Sequence, residues 1–362
     1  MARVLVVGAG GNIGSYLTPH LARMPGVSQV TLIDRGRYEA ANVNAQDIDA
    51  NDIGKPKAEV LARRLSRINP ALTVTALGAA VEDVPLGALR ADVIVACLDS
   101  RGARVVVNQA AWRLGVPWIN AGVDGGGLLA RIQTFVPGPN APCLECAWSQ
   151  ADYDAIEQEY PCQSGPSSPP TNATSSLGAL AAALQAIECE KLLCGDTDRT
   201  LASRDLMIDA RYHRQFVTTF RRNATCRMPD HDGWCITKLE VPASQVKLRA
   251  ALVIGGTTPD DAEQVTFDVA GQRIVVTLTC RACGASRRTF RLERSLRKAP
   301  ICRRCRARVR VSGFDLRDAA PVSAAPRPAL NWTMSRVGLR PGDVFSLATP
   351  SGHKHFEIGG EP

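Results

Sequence analysis

The apolar positions of the first part of the chain alternate between two periods. Residues 3–8, Arg-Val-Leu-Val-Val-Gly, form a short continuous apolar run, as a strand buried on both faces requires. A glycine-rich turn follows, and residues 13–23 space Ile13, Tyr16, Leu17 and Leu21 at helical intervals. Residues 29–33 predict a second strand, ending at Asp34, and residues 57–67 a basic amphipathic helix. Further strands are predicted over 73–77, 93–96 and 116–120, with a helix over 102–114. Strands alternating with helices predict an α/β fold, a Rossmann-like doubly wound, mostly parallel sheet. Residues 150–175 are rich in Pro and Ser and predict a mobile crossover loop. Residues 177–193 predict a long apolar helix, and from about 236 the pattern turns to short strands. The domain boundary is placed near 235, giving an α/β domain over 1–235 and a small β-rich domain over 236–362.

The turn after the first strand reads Gly8-x-Gly10-Gly11-x-x-Gly14. Strand, glycine turn and helix together aim backbone N–H groups at one point, a geometry that cradles phosphate. Asp34, twenty residues after Gly14, suits hydrogen bonding to ribose hydroxyls. This pattern fits a dinucleotide oxidoreductase equally well. A short-chain dehydrogenase, however, needs Tyr-x-x-x-Lys. The five tyrosines are followed at the fourth position by His20, Asn42, Ile156, Ser164 and Phe216, so none fits.

Composition narrows the class. The 362 residues are 45% hydrophobic, enough for about two domains with real cores. No apolar run approaches the ~20 residues of a membrane span, and the first strand is too short for a signal segment. The chain is expected to be cytoplasmic. Of its twelve cysteines, six form C-x2-C pairs: Cys143/Cys146, Cys280/Cys283 and Cys302/Cys305. In a reducing compartment such pairs read as zinc ligands rather than disulfides.

The segments after the glycine turn resemble the ThiF/MoeB-like adenylyltransferases, which include the ubiquitin-activating enzymes. The matching residues run from Ala41-Asn42-Val43-Asn44-Ala45-Gln46 through Asp52-Ile53-Gly54-Lys55-Pro56-Lys57 to Ile68-Asn69-Pro70. They continue at Cys97-Leu98-Asp99-Ser100, with Arg104 and Asn108 at the family's spacing, at Cys143-Leu-Glu-Cys146, and in the helix around Glu188 and Lys191. The resemblance covers about residues 1–235. It implies that Gly8, Gly10, Gly11 and Gly14 line ATP phosphates, that Asp34 takes the ribose, and that Asn42 and Gln46 sit near the triphosphate. It also implies that Lys57 contacts phosphate and that Asp99 holds Mg2+. Adenylation moves charge onto leaving pyrophosphate, which a lysine and Mg2+ stabilise. The incoming carboxylate is itself the nucleophile. The implied activity is ATP-dependent adenylation of the C-terminal carboxylate of a ubiquitin-like protein. Activation of a sulfur-carrier protein is the alternative. A homodimer is expected from the same resemblance.

Two departures stand out. The family's Asn-x-x-Arg-Gln has Ala45 in place of the arginine, and the N-terminal segment that can lend another arginine to a partner subunit is expected to be missing. Arg35, Arg37, Arg101 or a partner's arginine are left as substitutes. The glycine turn also holds an extra residue. A degenerate adenylation scaffold with a binding module is therefore a rival reading.

Cys162 lies in the Pro/Ser-rich loop, where ubiquitin-activating relatives have their thioester cysteine. It is the candidate acceptor of the acyl group before transfer to a conjugating enzyme. Cys97, Cys189 and Cys194 are expected in the core. For a first zinc site, Cys143 and Cys146 are joined by Cys226 and His231, with Cys235 as a spare thiolate. Cys280, Cys283, Cys302 and Cys305 have zinc-ribbon spacing and are expected to fold residues 275–310 around a second structural Zn2+.

Charge concentrates on that ribbon. Residues 281–310 hold twelve Lys/Arg and one acid, which leaves the rest of a chain of net charge +8 slightly acidic. Arg287, Arg288, Arg291, Arg294, Arg297 and Lys298 are dense enough for nucleic-acid phosphates. Phe290 alone offers an aromatic there, so an acidic protein partner or a plain solvated face is favoured over nucleic acid.

Overall fold

A computed structural model describes residues 1–159, 173–228, 231–258, 261–296, 300–309, 311 and 315–360. The chain forms two compact units, Met1–Val84 with Leu89–Trp234, and Pro85–Ala88 with Cys235–Pro362. Cys162, Arg297 and Lys298 lie outside the described residues.

The first unit contains strands β1 (Ala2–Val7), β2 (Val27–Ile33), β3 (Thr73–Leu77), β4 (Val93–Ala96), β5 (Trp118–Asp124), β6 (Leu129–Phe135), β7 (Arg204–Asp209) and β8 (Arg214–Thr219). Its helices are α1 (Asn12–Arg23), α2 (Lys57–Ile68), α3 (Arg101–Leu114), α4 (Gln150–Glu159) and α5 (Ser175–Leu193). The strands make one sheet in the order β3-β2-β1-β4-β5-β6-β7-β8. The first five are parallel, and β6, β7 and β8 are added antiparallel. This is the doubly wound architecture expected from the alternating pattern. The strand order reverses between β1 and β4, where such sheets open a ligand crevice at their carboxyl ends.

The central strands are apolar throughout because helices cover both faces. Val4, Val6, Leu32 and Val95 pack with Leu17, Leu21, Leu61 and Leu65 in one cluster. Each such aliphatic side chain taken out of water contributes roughly 1.5–3 kcal/mol. Helix α2 buries only Ala58, Val60, Leu61 and Leu65, which is why it reads as amphipathic. Helix α5 is apolar on nearly every side, and its few inward polar groups are all used. Gln185 Nε2 donates to the carbonyls of Ala96 and Ile119. The buried Glu188 carboxylate accepts from Thr134 Oγ1 at 3.0 Å and from the Leu201 N–H and Lys191 Nζ, each at 2.6 Å. Helices α1 and α5 approach closely at Gly178, where an added Cβ would lie 1.8 Å from Asn12 Oδ1.

The segment 150–175 is not irregular throughout. Its first ten residues form α4, with Ser149 held to Asp152 at the helix start by Oγ–Oδ2 and N–Oδ2 contacts of 2.9 Å. The Pro/Ser bias begins only at Pro161. Thr174 caps α5, its Oγ1 accepting from the Leu177 N–H. Cys194 is exposed at the end of α5, unlike the buried Cys97 and Cys189, because the helix has already left the core.

The second unit holds a sheet ordered β14-β10-β15-β16-β9 and a three-stranded sheet ordered β12-β11-β13. The strands are β9 (Ile236–Pro242), β10 (Thr266–Val269), β11 (Ile274–Thr279), β12 (Ser286–Leu292), β13 (Leu316–Arg317), β14 (Ala319–Pro321), β15 (Val344–Thr349) and β16 (Gly352–Gly359). Helices α6 (Leu248–Ile254) and α7 (Met334–Val337) complete it. Phe267, Phe345 and Phe356 stack across three adjacent strands with centroids 5.7 and 5.3 Å apart. A separate small core of Val275, Leu278, Leu296 and Val309 surrounds the ribbon cysteines Cys280 and Cys302.

Candidate functional site

The glycine turn lies where β1 and β4 end side by side. Gly8 has φ +77°, and an added Cβ would lie 2.5 Å from the Cys97 carbonyl oxygen, so the two strand ends touch backbone to backbone. Gly10 faces the start of α2, with its would-be Cβ 2.4 Å from Lys57 Cβ. Gly11 is the N-cap of α1, and Gly14 lies in the helix's first turn. No side chain caps this helix, so its leading N–H groups stay available to an anion.

Asp34 follows β2 and accepts on both oxygens, from Gly10 N–H at 2.8 Å and Gly36 N–H at 2.8 Å. Its carboxylate thereby fixes the glycine turn to the loop after β2. Lys57, the first residue of α2, donates to Gln46 Oε1 at 3.2 Å and lies 5.3 Å from the Tyr38 ring centroid. Burial lowers the Lys57 pKa, and the nearby charges of Asp34, Glu39 and Asp99 work against that shift. Burial, then Asp34 and Asp52, push the Tyr38 phenol up, so it stays protonated. Asp99 is exposed beyond β4, one residue before Ser100, whose Oγ caps α3 by accepting from Ala103 N–H. The structure thus gathers Gly10, Asp34, Gln46 and Lys57 by direct contact, with Gly8 in the same turn. The electrostatic influence of Asp99 on Lys57 puts its charge in the same neighbourhood.

Asn42 is placed differently from a free phosphate ligand. Its Oδ1 accepts from Glu39 N–H at 2.9 Å, as half of a capping box on the turn Ala40–Asn44. Ala45 offers only its carbonyl, which accepts from Asn12 Nδ2 at 2.9 Å. The same amide reaches the carbonyls of Ala173 and Thr174. Sequence reasoning missed Asn12 and Tyr38. Asn12 follows Gly11 directly and could have been suspected from that position; Tyr38 sits in a polar loop with no periodic signal.

Two clusters could hold metal. In the first unit the ligand atoms of Cys143, Cys146, Cys226 and His231 all lie within 4.8 Å of one another. Cys143 Sγ is 3.8 Å from Cys146 Sγ and 3.6 Å from Cys226 Sγ, and Cys146 Sγ is 3.3 Å from His231 Nε2. Zn–S bonds of about 2.3 Å set a tetrahedral edge of about 3.8 Å, so the spacing fits zinc. Cys235 is exposed and belongs to neither cluster. Buried Asn108 steadies the first knuckle, its Oδ1 accepting from Leu144 N–H at 3.2 Å. Trp112 packs edge-on against His231 at 5.1 Å.

In the second unit Cys280, Cys283, Cys302 and Cys305 converge, with Sγ separations of 3.5 Å (Cys280–Cys305) and 3.7 Å (Cys283–Cys302). The two knuckles share one backbone pattern. Gly284 N–H donates to Cys280 O and Arg306 N–H to Cys302 O, and both residues are left-handed, at φ +69° and +64°. Several of the arginines that gave the ribbon its charge are tied down within the fold. Arg294 pairs with buried Asp343, Arg288 donates to Ser323 and Ala324 carbonyls, and Arg291 to the Ser295 carbonyl. Phe290 is fully buried and offers no stacking face. Exposed Arg281, Arg303, Arg304 and Arg306 sit on the knuckles instead.

A doubly wound sheet with a glycine turn before α1, an acid after β2 and a cysteine knuckle after β6, whose cluster could hold a metal ion, is the architecture of a Rossmann-like domain. The ThiF family profile matches residues 1–228, and the chain belongs to the ThiF family. It is 31% identical over 200 residues to the sulfur carrier protein ThiS adenylyltransferase of Escherichia coli K12, covering 54% of this chain and 73% of that protein. It is 33% identical over 159 residues to ubiquitin-like modifier-activating enzyme 5 of Oryza sativa subsp. japonica, covering 40% of this chain and 37% of that protein. The molybdopterin-synthase adenylyltransferase of Salmonella typhimurium is 32% identical over 148 residues, 40% of this chain and 58% of that protein. The chain therefore spans well under two thirds of some of these relatives. Among solved structures, Escherichia coli MccB with ATP superposes with TM-score 0.50 at 24% identity, over 63% of this chain and 66% of that one, a likeness of fold. The family is one of adenylyltransferases and activating enzymes. Among the described residues no helix is long and apolar enough to cross a membrane.

Proposed function

We propose that this protein adenylates the C-terminal carboxylate of a ubiquitin-like or sulfur-carrier protein, using ATP. The observation that supports this best is the convergence of Gly10, Asp34 and Lys57 in direct contact at the strand-order reversal. In this reading the α1 N-terminus and the Lys57 ammonium hold phosphate, and the Asp34 carboxylate meets the ribose. A substrate carboxylate oxygen attacks the α-phosphorus. The bond from that phosphorus to the bridging oxygen breaks, and pyrophosphate leaves with the electron pair. Asp99 would hold a magnesium ion, which neutralises charge developing on the phosphates. Zinc in the two cysteine clusters would be structural, since protein atoms fill all four positions at each.

The acyl-adenylate then meets a thiol. Cys162 is the proposed acceptor: its sulfur attacks the acyl carbonyl, AMP leaves with the electron pair of the broken C–O bond, the thiol proton passes to solvent, and the thioester is handed on to a conjugating enzyme. A homodimer of this chain is proposed separately, from the family resemblance. The sulfur-carrier reading needs no such thiol. It is favoured by the coverage of the ThiS adenylyltransferase, which exceeds that of the other relatives. ATP–pyrophosphate exchange tests the common step: it should require the carrier and vanish in Asp99→Ala. Exchange indifferent to both overturns the reading. A thioester-trapping gel on Cys162→Ser separates the two carriers' chemistries.

A further inference from the structure

The stem of Lys57 runs through a slot between two bare stretches of backbone. An added Cβ on Gly10 would lie 2.7 Å from Lys57 Cδ, and one on Gly36 would lie 3.3 Å from the same atom. A short antiparallel clip sets this arrangement. Lys57 N–H donates to Gly36 O at 3.0 Å, Tyr38 N–H donates to Lys55 O at 3.0 Å, and Arg37 and Pro56 form a bridge between those bonds. Tyr38 is thereby diagonal to Lys57, within reach of a long side chain. The ammonium lies over its ring, 5.3 Å from the centroid.

The head of the lysine is held by neutral groups. Its direct contacts are Gln46 Oε1 at 3.2 Å and the Tyr38 ring, and it makes no ion pair among the described residues. Asp34 acts on its charge but gives both oxygens to the N–H groups of Gly10 and Gly36. Glu39 and Asp99 act on it from longer range. A carboxylate in contact would cancel the charge that a phosphate needs. A π face attracts a cation through its quadrupole and leaves that charge intact. Tyr38 is 1% exposed, so little water competes for the ring. Its hydroxyl has no partner among the described residues, which leaves the ring as the part that holds the lysine.

We propose that Tyr38 is the positioning residue for Lys57: its ring face holds the ammonium beside the glycine turn and leaves the charge free for a phosphate anion. A lysine stem fixed in advance has less rotamer freedom to lose when the anion binds. That the anion belongs to ATP rests on the adenylation reading. The hold of the ring on the ammonium does not.

The test replaces Tyr38 in the full chain by phenylalanine, and by phenylalanines carrying one, two and three ring fluorines, introduced by nonsense suppression. Fluorine drains the negative ring face with little change of shape. Urea midpoints of the ligand-free protein should fall stepwise with fluorine number. The same series built on Lys57→Met should stay level, which a merely structural ring would not do. A flat series with Lys57 present, or equal falls in both series, overturns the proposal. The one- and two-fluorine chains carry the slope if the third does not fold. Mg-ATP affinity is measured by calorimetry on the same chains. Tyr38→Phe should stay within about twofold of the native protein, and the three-fluorine chain should bind about 5- to 10-fold more weakly. A loss in Tyr38→Phe as large as in the three-fluorine chain assigns the hold to the hydroxyl and also overturns the proposal. If the native protein binds no ATP, the adenylation reading falls and the urea series alone decides the role of Tyr38.

Discussion

Gly10 and Lys57 share one volume: a Cβ on the glycine would fall 2.4 Å from the lysine's own Cβ. The close approach places the first residue of α2 against the turn that precedes α1, so the cation and the backbone N–H groups face the same crevice. Gly10→Ala should push the two apart, costing about 1–3 kcal/mol of stability as overpacking does. Affinity for ATP should fall about 10-fold or more. Titration with a fluorescent ATP analogue, beside a denaturant melt, checks both.

Lys57 is held in the fold at a thermodynamic disadvantage. Burial lowers its pKa, so between that lowered value and the ordinary ~10.4 the unfolded chain binds more protons than the folded one. Stability therefore rises with pH through this window, and the penalty is complete below it. Lys57→Met should flatten the slope and stabilise the ligand-free protein by up to about 1 kcal/mol, while abolishing nucleotide binding. Urea midpoints measured across the alkaline range decide this; an unchanged slope would count against it.

Two zinc ions per chain are expected by elemental analysis. Cys283→Ser should lower the content to one and melt the ribbon, because its small core cannot stand without metal. Cys143→Ser should also remove one ion, and should loosen the buried contacts of Trp112 and Asn108. Tryptophan emission should report the second change and not the first.

The left-handed residue of each ribbon knuckle is a glycine in one and an arginine in the other, Gly284 and Arg306. Arg306→Gly should relieve about 0.5–1 kcal/mol of backbone strain. Gly284→Ala should cost about as much. Zinc release to a chelator should slow in the first variant and quicken in the second.

The strand–helix alternation was legible because parallel strands buried on both faces are uniformly apolar, and the glycine turn and the family because their motifs are local in the sequence. The antiparallel extension was not. In β6 the buried residues include Gln133 and Thr134, whose polar groups are met by Asn120 and Glu188, so hydrophobicity does not mark the strand. Helix α4 was hidden by the Pro/Ser composition of the residues beyond it. Asp34 stood out by its spacing from the glycine turn and Lys57 only through resemblance, and nothing in the spacing of Gly10, Asp34 and Lys57 specifies their contact. How many ribbon arginines face solvent was not legible, because charge in a sequence does not say which guanidinium turns inward, as Arg294 does toward Asp343.

Asn12 and Gly178 are, in effect, a single heritable character. The amide that ties α1 to Ala45 and to the entry of α5 leaves no room for any side chain at position 178. Neither position can drift alone: a methyl at 178 displaces the amide, and a smaller residue at 12 strands three backbone carbonyls. Descendants of this sequence should keep both residues or replace both together.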